Sequence, residues 1–188
     1  MSTSKAALEG GRYYHIYSHA VGGAELFLCD HDRRHFLSLL ARHTPQAMQT
    51  LCYCLLGNHF HLLARIRRSL RVRPHLALSH TLNAYTQYFN HRYRFKGGLF
   101  QRPFKRKEVM DEHYLVQVIG YIHLNPTHHG LTAAFECYPW SSYPTLMSHG
   151  MTRLARDETL AYLGGRTSFA EYHRNYKNYL TGEWTFET

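Results

Sequence analysis

Polar and apolar positions alternate through Arg12-Tyr-Tyr-His-Ile-Tyr-Ser-His19, which predicts a β-strand, and Gly22-Gly23 marks a turn after it. Asp30 or Asp32 is placed to cap a helix running to about Arg42, with Phe36, Leu37 and Leu40 on its buried side and Pro45 beyond its end. Two apolar runs, Leu51–Leu56 and Leu62-Leu63-Ala64, lie on either side of Gly57-Asn58-His59-Phe60-His61 and predict a hairpin of Leu51–Leu56 with His59–Arg65, Gly57-Asn58 at its turn. From Pro74 to about Arg92, Leu78, Leu82, Tyr85 and Phe89 repeat at helical spacing. Aromatic and cationic residues then interleave from Tyr93 to Lys107 around Gly97-Gly98, and Pro103 suits an edge strand rather than a central one. Asp111 predicts the start of a helix from Glu112 to about Leu124 that buries Leu115, Ile119 and Ile122, with Pro126 ending it. A short helix near 156–163 closes on Gly164-Gly165, and a last helix opens at Ser168 with Phe169, Tyr172, Tyr176 and Tyr179 on one side.

Strands and helices in this mixture predict one α+β domain, and 188 residues are enough for a full core but too few for two ordinary domains. The 22 Lys and Arg against 13 Asp and Glu give a formal charge of +9, which makes a polyanion, and nucleic acid first, the expected partner. No apolar run is long enough to span a bilayer and no Lys/Arg-rich amphipathic anchor appears, so no membrane partner is expected. The first seven residues lack the apolar core of a secretory signal, and Cys29, Cys52, Cys54 and Cys137 have no disulfide-framework spacing; both features place the protein in the cytoplasm.

The candidate chemistry starts in the hairpin. In a strand His59 and His61 project from one face while Phe60 points to the other, so the two imidazoles can clamp a metal. Among 16 histidines such a pair can also arise by chance on a half-buried strand. A zinc site that adds Cys52 or Cys54 is a disfavoured alternative, because only a turn at Gly57-Asn58 would bring those thiols to the histidines. A second stripe on the helix after Asp111 contains Tyr114, Gln117, Tyr121 and Asn125, and the i,i+4 spacing lets Tyr121 and Asn125 face one site. A metal held by His59, His61 and the amide oxygen of Asn125 would polarise a phosphodiester, and Tyr121 would attack it. Arg65, Arg67, Arg68 and Arg71 are expected to neutralise phosphates, and Arg102, Lys105 and Arg106 to hold a hairpin or its flank; a solvated loop is the commoner fate of such runs.

Three blocks carry a resemblance: Leu55-Leu56-Gly57-Asn58-His59-Phe60-His61-Leu62-Leu63, Leu99-Phe100-Gln101-Arg102-Pro103-Phe104-Lys105, and Gly120-Tyr121-Ile122-His123-Leu124-Asn125-Pro126. In order and spacing they resemble the single-tyrosine HUH transposases, and Tyr138-Pro-Trp140-Ser-Ser-Tyr143 is similar to the branch called REP-associated tyrosine transposases. The resemblance implies a ferredoxin-like antiparallel sheet with helices packed on it, the HUH endonuclease fold, over residues 1–150, and a small C-terminal helical extension over 151–188. It implies Mg²⁺ or Mn²⁺ as cofactor and single-stranded DNA with REP-like or inverted-repeat hairpins as partner. Tyr121 would be joined to a 5′ phosphate with release of a 3′ hydroxyl, in a monomer or a homodimer. Asn125 stands where the insertion-sequence branch has glutamine, and Gly57 where relatives often have proline. Two other readings remain: a non-catalytic single-stranded nucleic-acid-binding protein, and a metal-dependent nuclease that uses water and needs no Tyr121.

Overall fold

The computed structural model describes residues 7–176 apart from position 70. Among the described residues four strands, β1 (Tyr13–His19), β2 (Met48–Leu55), β3 (His59–Ile66) and β4 (Lys105–Val109), form one sheet in the order β2-β3-β1-β4. Every pairing is antiparallel. β3 therefore lies between β1 and β2, and β1 between β3 and β4. Helix α1 (Asp30–His43) and helix α2 (Pro74–Tyr93) supply the two crossovers of this split arrangement, the ferredoxin-like topology that the resemblance implied.

Strand alternation divides the sheet into two faces. Tyr14 and Ile16 of β1 and Phe60, Leu62 and Ala64 of β3 share an aromatic-rich core with Phe36 and Leu40 of α1 and Leu78, Tyr85 and Phe89 of α2. A buried carboxylate fastens the two helices. Cys29 is the N-cap of α1, so Asp32 caps from the third helical position, accepting from the Leu28 and Cys29 amides at 2.9 and 3.1 Å. The same carboxylate accepts from the hydroxyls of Tyr88 and Tyr93 on α2, each at 2.8 Å. Burial alone would raise its pKa, but these four hydrogen bonds stabilise the anion and hold it below the ordinary value.

On the opposite face, α3 (Glu112–His128) lays Leu115, Val118, Ile119 and Ile122 against Leu51, Cys52 and Leu63. Asp111 caps it, accepting from the Tyr114 amide at 2.7 Å. Boundaries differ from the sequence expectation at several elements. β2 begins at Met48 rather than Leu51, because a bulge between Thr50 and Cys52 lets the strand carry Met48 on the first face and Leu51, Cys52 and Cys54 on the second. α3 runs through Pro126 to His128; proline's φ fits a helix, and one missing N–H near the end is tolerated. The last helix starts at Arg166 rather than Ser168.

Beyond residue 142 come α4 (Tyr143–Met147), α5 (Arg156–Ala161) and α6 (Arg166–Tyr176). Ala155, Leu160 and Phe169 share the α3 core, so the described part of the expected extension helps complete the second layer. Gly120 permits this docking: a Cβ there would lie 2.9 Å from the rings of both Tyr172 and Tyr176 on α6. A buried relay also crosses the layer. His173 Nδ1 donates to the Phe169 carbonyl at 2.7 Å, which leaves its Nε2 to accept from His123 Nδ1 at 2.8 Å; His123 Nε2 then accepts from the Ser142 hydroxyl at 2.8 Å. Burial lowers both imidazoles, His173 to about 4, against the raising effect of its carbonyl contacts. Tyr179, expected on the α6 face, lies outside the described residues. No helix among the described residues is long and apolar enough to cross a membrane.

Candidate functional site

The second face of β1 and β3 presents a column of imidazoles and phenols. His19 is paired with His59 and Tyr17 with His61 across the ladder. The rings of His19 and His59 stack at 4.6 Å, and His59 and His61 meet edge-on at 5.1 Å. His15, one pleat further along β1, places Nε2 3.0 Å from His61 Nδ1. His15 and His61 are fully buried and His59 is 4% exposed.

Helix α3 lies over this column. The Tyr121 ring meets His61 edge-on at 5.4 Å and His15 at 5.9 Å. Two turns later, His129 at the helix C-cap packs its ring 5.0 Å from His59. Asn125 is one turn from each, so the helical period sets it between the two histidine contacts. Its side-chain nitrogen donates weakly to the Tyr121 carbonyl at 3.5 Å, while its Oδ1 is buried and accepts no hydrogen bond among the described residues. Such an oxygen costs roughly 1–3 kcal/mol unless something else binds it.

Hydrogen bonds also set the state of the imidazoles. His59 Nδ1 donates to Asn58 Oδ1 at 2.7 Å, so its lone pair is on Nε2. Cys54, paired with His61 across β2 and β3, faces the same layer, as the zinc alternative requires. Burial and the neighbouring Cys52 raise its thiol well above the ordinary range, so it stays protonated and packs as an apolar group.

The two basic stretches fall at different places. Lys105 is paired with Tyr17 on edge strand β4, and its ammonium lies 5.7 Å from the Tyr17 ring centre. Lys107 is paired with His15 and lies 5.4 Å from the Tyr114 ring. Both belong to the imidazole face. Arg106 between them is on the other face, 5.5 Å from the Phe104 ring. Arg102 is near the His19 end, where the Gln101 amide donates to the His19 carbonyl at 2.8 Å, and its guanidinium donates to Asn83 at 2.5 Å. Arg65 pairs with Glu158 at 3.1 Å and donates to Gln49 at 2.9 Å, an internal tie between β3 and α5. Arg67, Arg68 and Arg71 are exposed beyond the far end of β3, with Arg67 donating to the Pro45 carbonyl. Arg67 is six residue steps along the chain from His61, about 20 Å. Gln117 is turned toward His113, with their side-chain nitrogens 3.0 Å apart.

The structure therefore gathers Tyr121, His59, His61 and Asn125, with Lys105 beside them, and leaves Arg67, Arg68 and Arg71 remote. Sequence reading missed His15, Tyr17, His19, Lys107 and His129. The alternation of β1 signalled the first three, since every second residue from His15 to His19 is an imidazole or a phenol. His129 was hidden by the expectation that Pro126 ends the helix.

No family model matches the chain, and no curated protein matches it by sequence. One solved structure, a REP-associated tyrosine transposase bound to a REP hairpin, overlaps with a TM-score of 0.62 over 81% of this chain and 88% of that one, at 17% identity. The chain has that fold. Bacterial tRNA(His) guanylyltransferase-like proteins with GTP and with ATP overlap at TM-scores of 0.47 and 0.45, too low to carry an argument.

Proposed function

We propose that this protein is a transposase-type endonuclease that cuts and rejoins single-stranded DNA beside hairpins through a covalent phosphotyrosine. The observation that carries the reading is the packing of Tyr121 directly against His61, with Asn125 and His129 continuing the same helical stripe along His59. The shared fold with a transposase bound to a REP hairpin supports the substrate class.

Tyr121 is the nucleophile. Its phenolic oxygen attacks the phosphorus, a P–O bond to tyrosine forms, and the bond from phosphorus to the 3′ oxygen breaks. The phenol's proton ends on the departing 3′ hydroxyl. The new ester keeps the 5′ phosphate activated, so a second 3′ hydroxyl can reverse the step and join a different strand.

Nε2 of His59, Nε2 of His61 and Oδ1 of Asn125 would hold Mg²⁺ or Mn²⁺. The buried, unmatched amide oxygen fits such a group, as does the fixed tautomer of His59. Bound there, the cation supplies Lewis acidity toward the phosphodiester. Lys105 and Lys107 attract the phosphates flanking the scissile one, and the partly exposed Tyr114 ring beside Lys107 offers a face for a base to stack on.

The test is incubation of the native protein and Tyr121→Phe with labelled single-stranded hairpin DNA from the flanks of its gene, with Mn²⁺ or Mg²⁺, followed by denaturing electrophoresis. A metal-dependent covalent adduct lost in the variant is expected. Cleavage without an adduct would replace this reading with hydrolysis, and binding without cleavage would replace it with a binding module.

A further inference from the structure

His15 lies outside the histidine motif and the nucleophilic helix, yet it touches both. It is fully buried, its ring stacks on His61 at 5.1 Å and 28°, and it meets the edge of Tyr121 at 5.9 Å. Its Nε2 is 3.0 Å from His61 Nδ1, so one hydrogen lies between two imidazole nitrogens and one ring must donate it. If His15 donates, neutral His61 carries its own proton on Nε2 and has no lone pair there. If His61 donates, its lone pair is on Nε2 and His15 keeps its proton on Nδ1.

We infer that His15 is a positioning residue that accepts from His61 Nδ1 and thereby holds His61 in the tautomer whose Nε2 can ligate a metal; the inference rests on the metal reading proposed above. His59 has the same arrangement by other means, because the side-chain amide oxygen Oδ1 of Asn58 can only accept. The two candidate ligands are thus set from different directions, one by its chain neighbour and one across the sheet. β1 makes the second possible. His15 is opposite Leu63, two residues beyond His61, and reaches it diagonally, with the Tyr17 ring stacked beside it at 5.0 Å. An imidazole left to itself favours Nε2–H, so His61 needs a fixed acceptor at Nδ1 to be held the other way. Partners of this kind commonly change metal affinity about 10–100-fold when removed.

The experiment compares the native protein with His15→Gln, which keeps an acceptor near the Nε2 position, and His15→Leu, which keeps bulk and removes it. Long-range ¹H–¹⁵N spectra of metal-free protein at about pH 8, where ordinary imidazoles are neutral, report the tautomer of His61, assigned by its absence from His61→Asn. Mn²⁺ affinity is read in parallel by electron paramagnetic resonance. Nδ1–H is expected in the native and Gln forms. In the Leu form Nε2–H is expected, with Mn²⁺ binding weaker by about 10–100-fold and near-native binding in the Gln form. Nε2–H in the native protein, or native Mn²⁺ affinity in a folded Leu variant, overturns the inference. Should the Leu variant fail to fold, the native and Gln spectra still decide it. Should the native protein bind no Mn²⁺, the metal reading falls, and the His61 tautomer still decides what His15 does.

Discussion

Two faces of the same two strands differ as much as any two regions of this molecule. Tyr14, Ile16, Phe60, Leu62 and Ala64 point to α1 and α2 and build an apolar core; His15, Tyr17, His19, His59 and His61 point to α3 and build the candidate site. The two sets interleave residue by residue. A slip of one position in the pairing of β1 with β3 would exchange them, so the aromatic core fixes the register that brings Tyr17 to His61 and His19 to His59. Packing on one face thereby sets the chemistry on the other.

The largest expected effects separate the faces. Phe60→Ala removes a fully buried ring that packs on Phe36 and Phe100, and is expected to cost about 3–5 kcal/mol in urea unfolding. Tyr121→Phe removes one hydroxyl and should change stability by no more than about 1.5 kcal/mol, while abolishing the covalent adduct. Adduct formation per folded molecule should survive Phe60→Ala. If it falls as far as in Tyr121→Phe, the two faces are not separable in function.

Acid should distinguish the faces next. The fold on the α3 side holds His173 neutral with a pKa of about 4, below its ordinary value of about 6.5. The unfolded chain therefore binds a proton that the folded one refuses, and stability falls as pH drops from about 6.5 to 4, by roughly 3 kcal/mol for this group. On the α1 and α2 side, Asp32 has the opposite chemistry: its depressed carboxyl adds stability that is full above about pH 3.9 and is lost below it. Asp32→Asn should leave the first slope in place and remove the second. Unchanged stability of the native protein between pH 6.5 and 4 would contradict the assignment of a buried neutral histidine relay.

A smaller effect is expected at Gly120, where the α3 side closes against α6. Gly120→Ala brings a methyl group into the Tyr172 and Tyr176 rings and should cost about 1–3 kcal/mol. In a Tyr176→Ala background the same substitution should cost clearly less, since one of the two obstructing rings is gone. Equal costs in both backgrounds would mean that α6 does not lie where the packing puts it.

The hairpin, the two crossover helices and the edge position of β4 were legible because each rests on a local signal: a glycine-asparagine turn, a helical repeat of large apolar residues, a proline beside a strand. That His59, His61, Tyr121 and Asn125 would face one place was legible through their order and spacing. What escaped depends on two elements at once. His15 and His19 matter only because β1 lies beside β3, and Lys107 because β4 lies beside β1. The bulge in β2 adds a residue without a sequence mark, and the helix that passes Pro126 carries His129 about one turn further than proline grammar suggests. Arg65 shows the converse: it stands in a cationic run, yet its partner is Glu158, 93 positions later in the chain and adjacent in space.

The weakest effect expected concerns the cations, and it bears on the same contrast at the level of surface charge. Lys105 and Lys107 stand on the imidazole face, whereas Arg67 and Arg68 lie beyond the far end of β3. A cation that neutralises a phosphate of single-stranded DNA contributes about 0.7 to the slope of log affinity against log salt. Replacing Lys105 and Lys107 together by Gln should lower that slope by about 1.4 if each meets one phosphate. Replacing Arg67 and Arg68 should leave it unchanged for a strand just long enough to cover the site. A longer substrate sharpens the test, because a strand that continues along the sheet would cross about 20 Å before reaching Arg67. If the arginine pair changes the slope with the short strand and the lysine pair does not, the DNA approaches along the end of β3, and the edge strand is not its track.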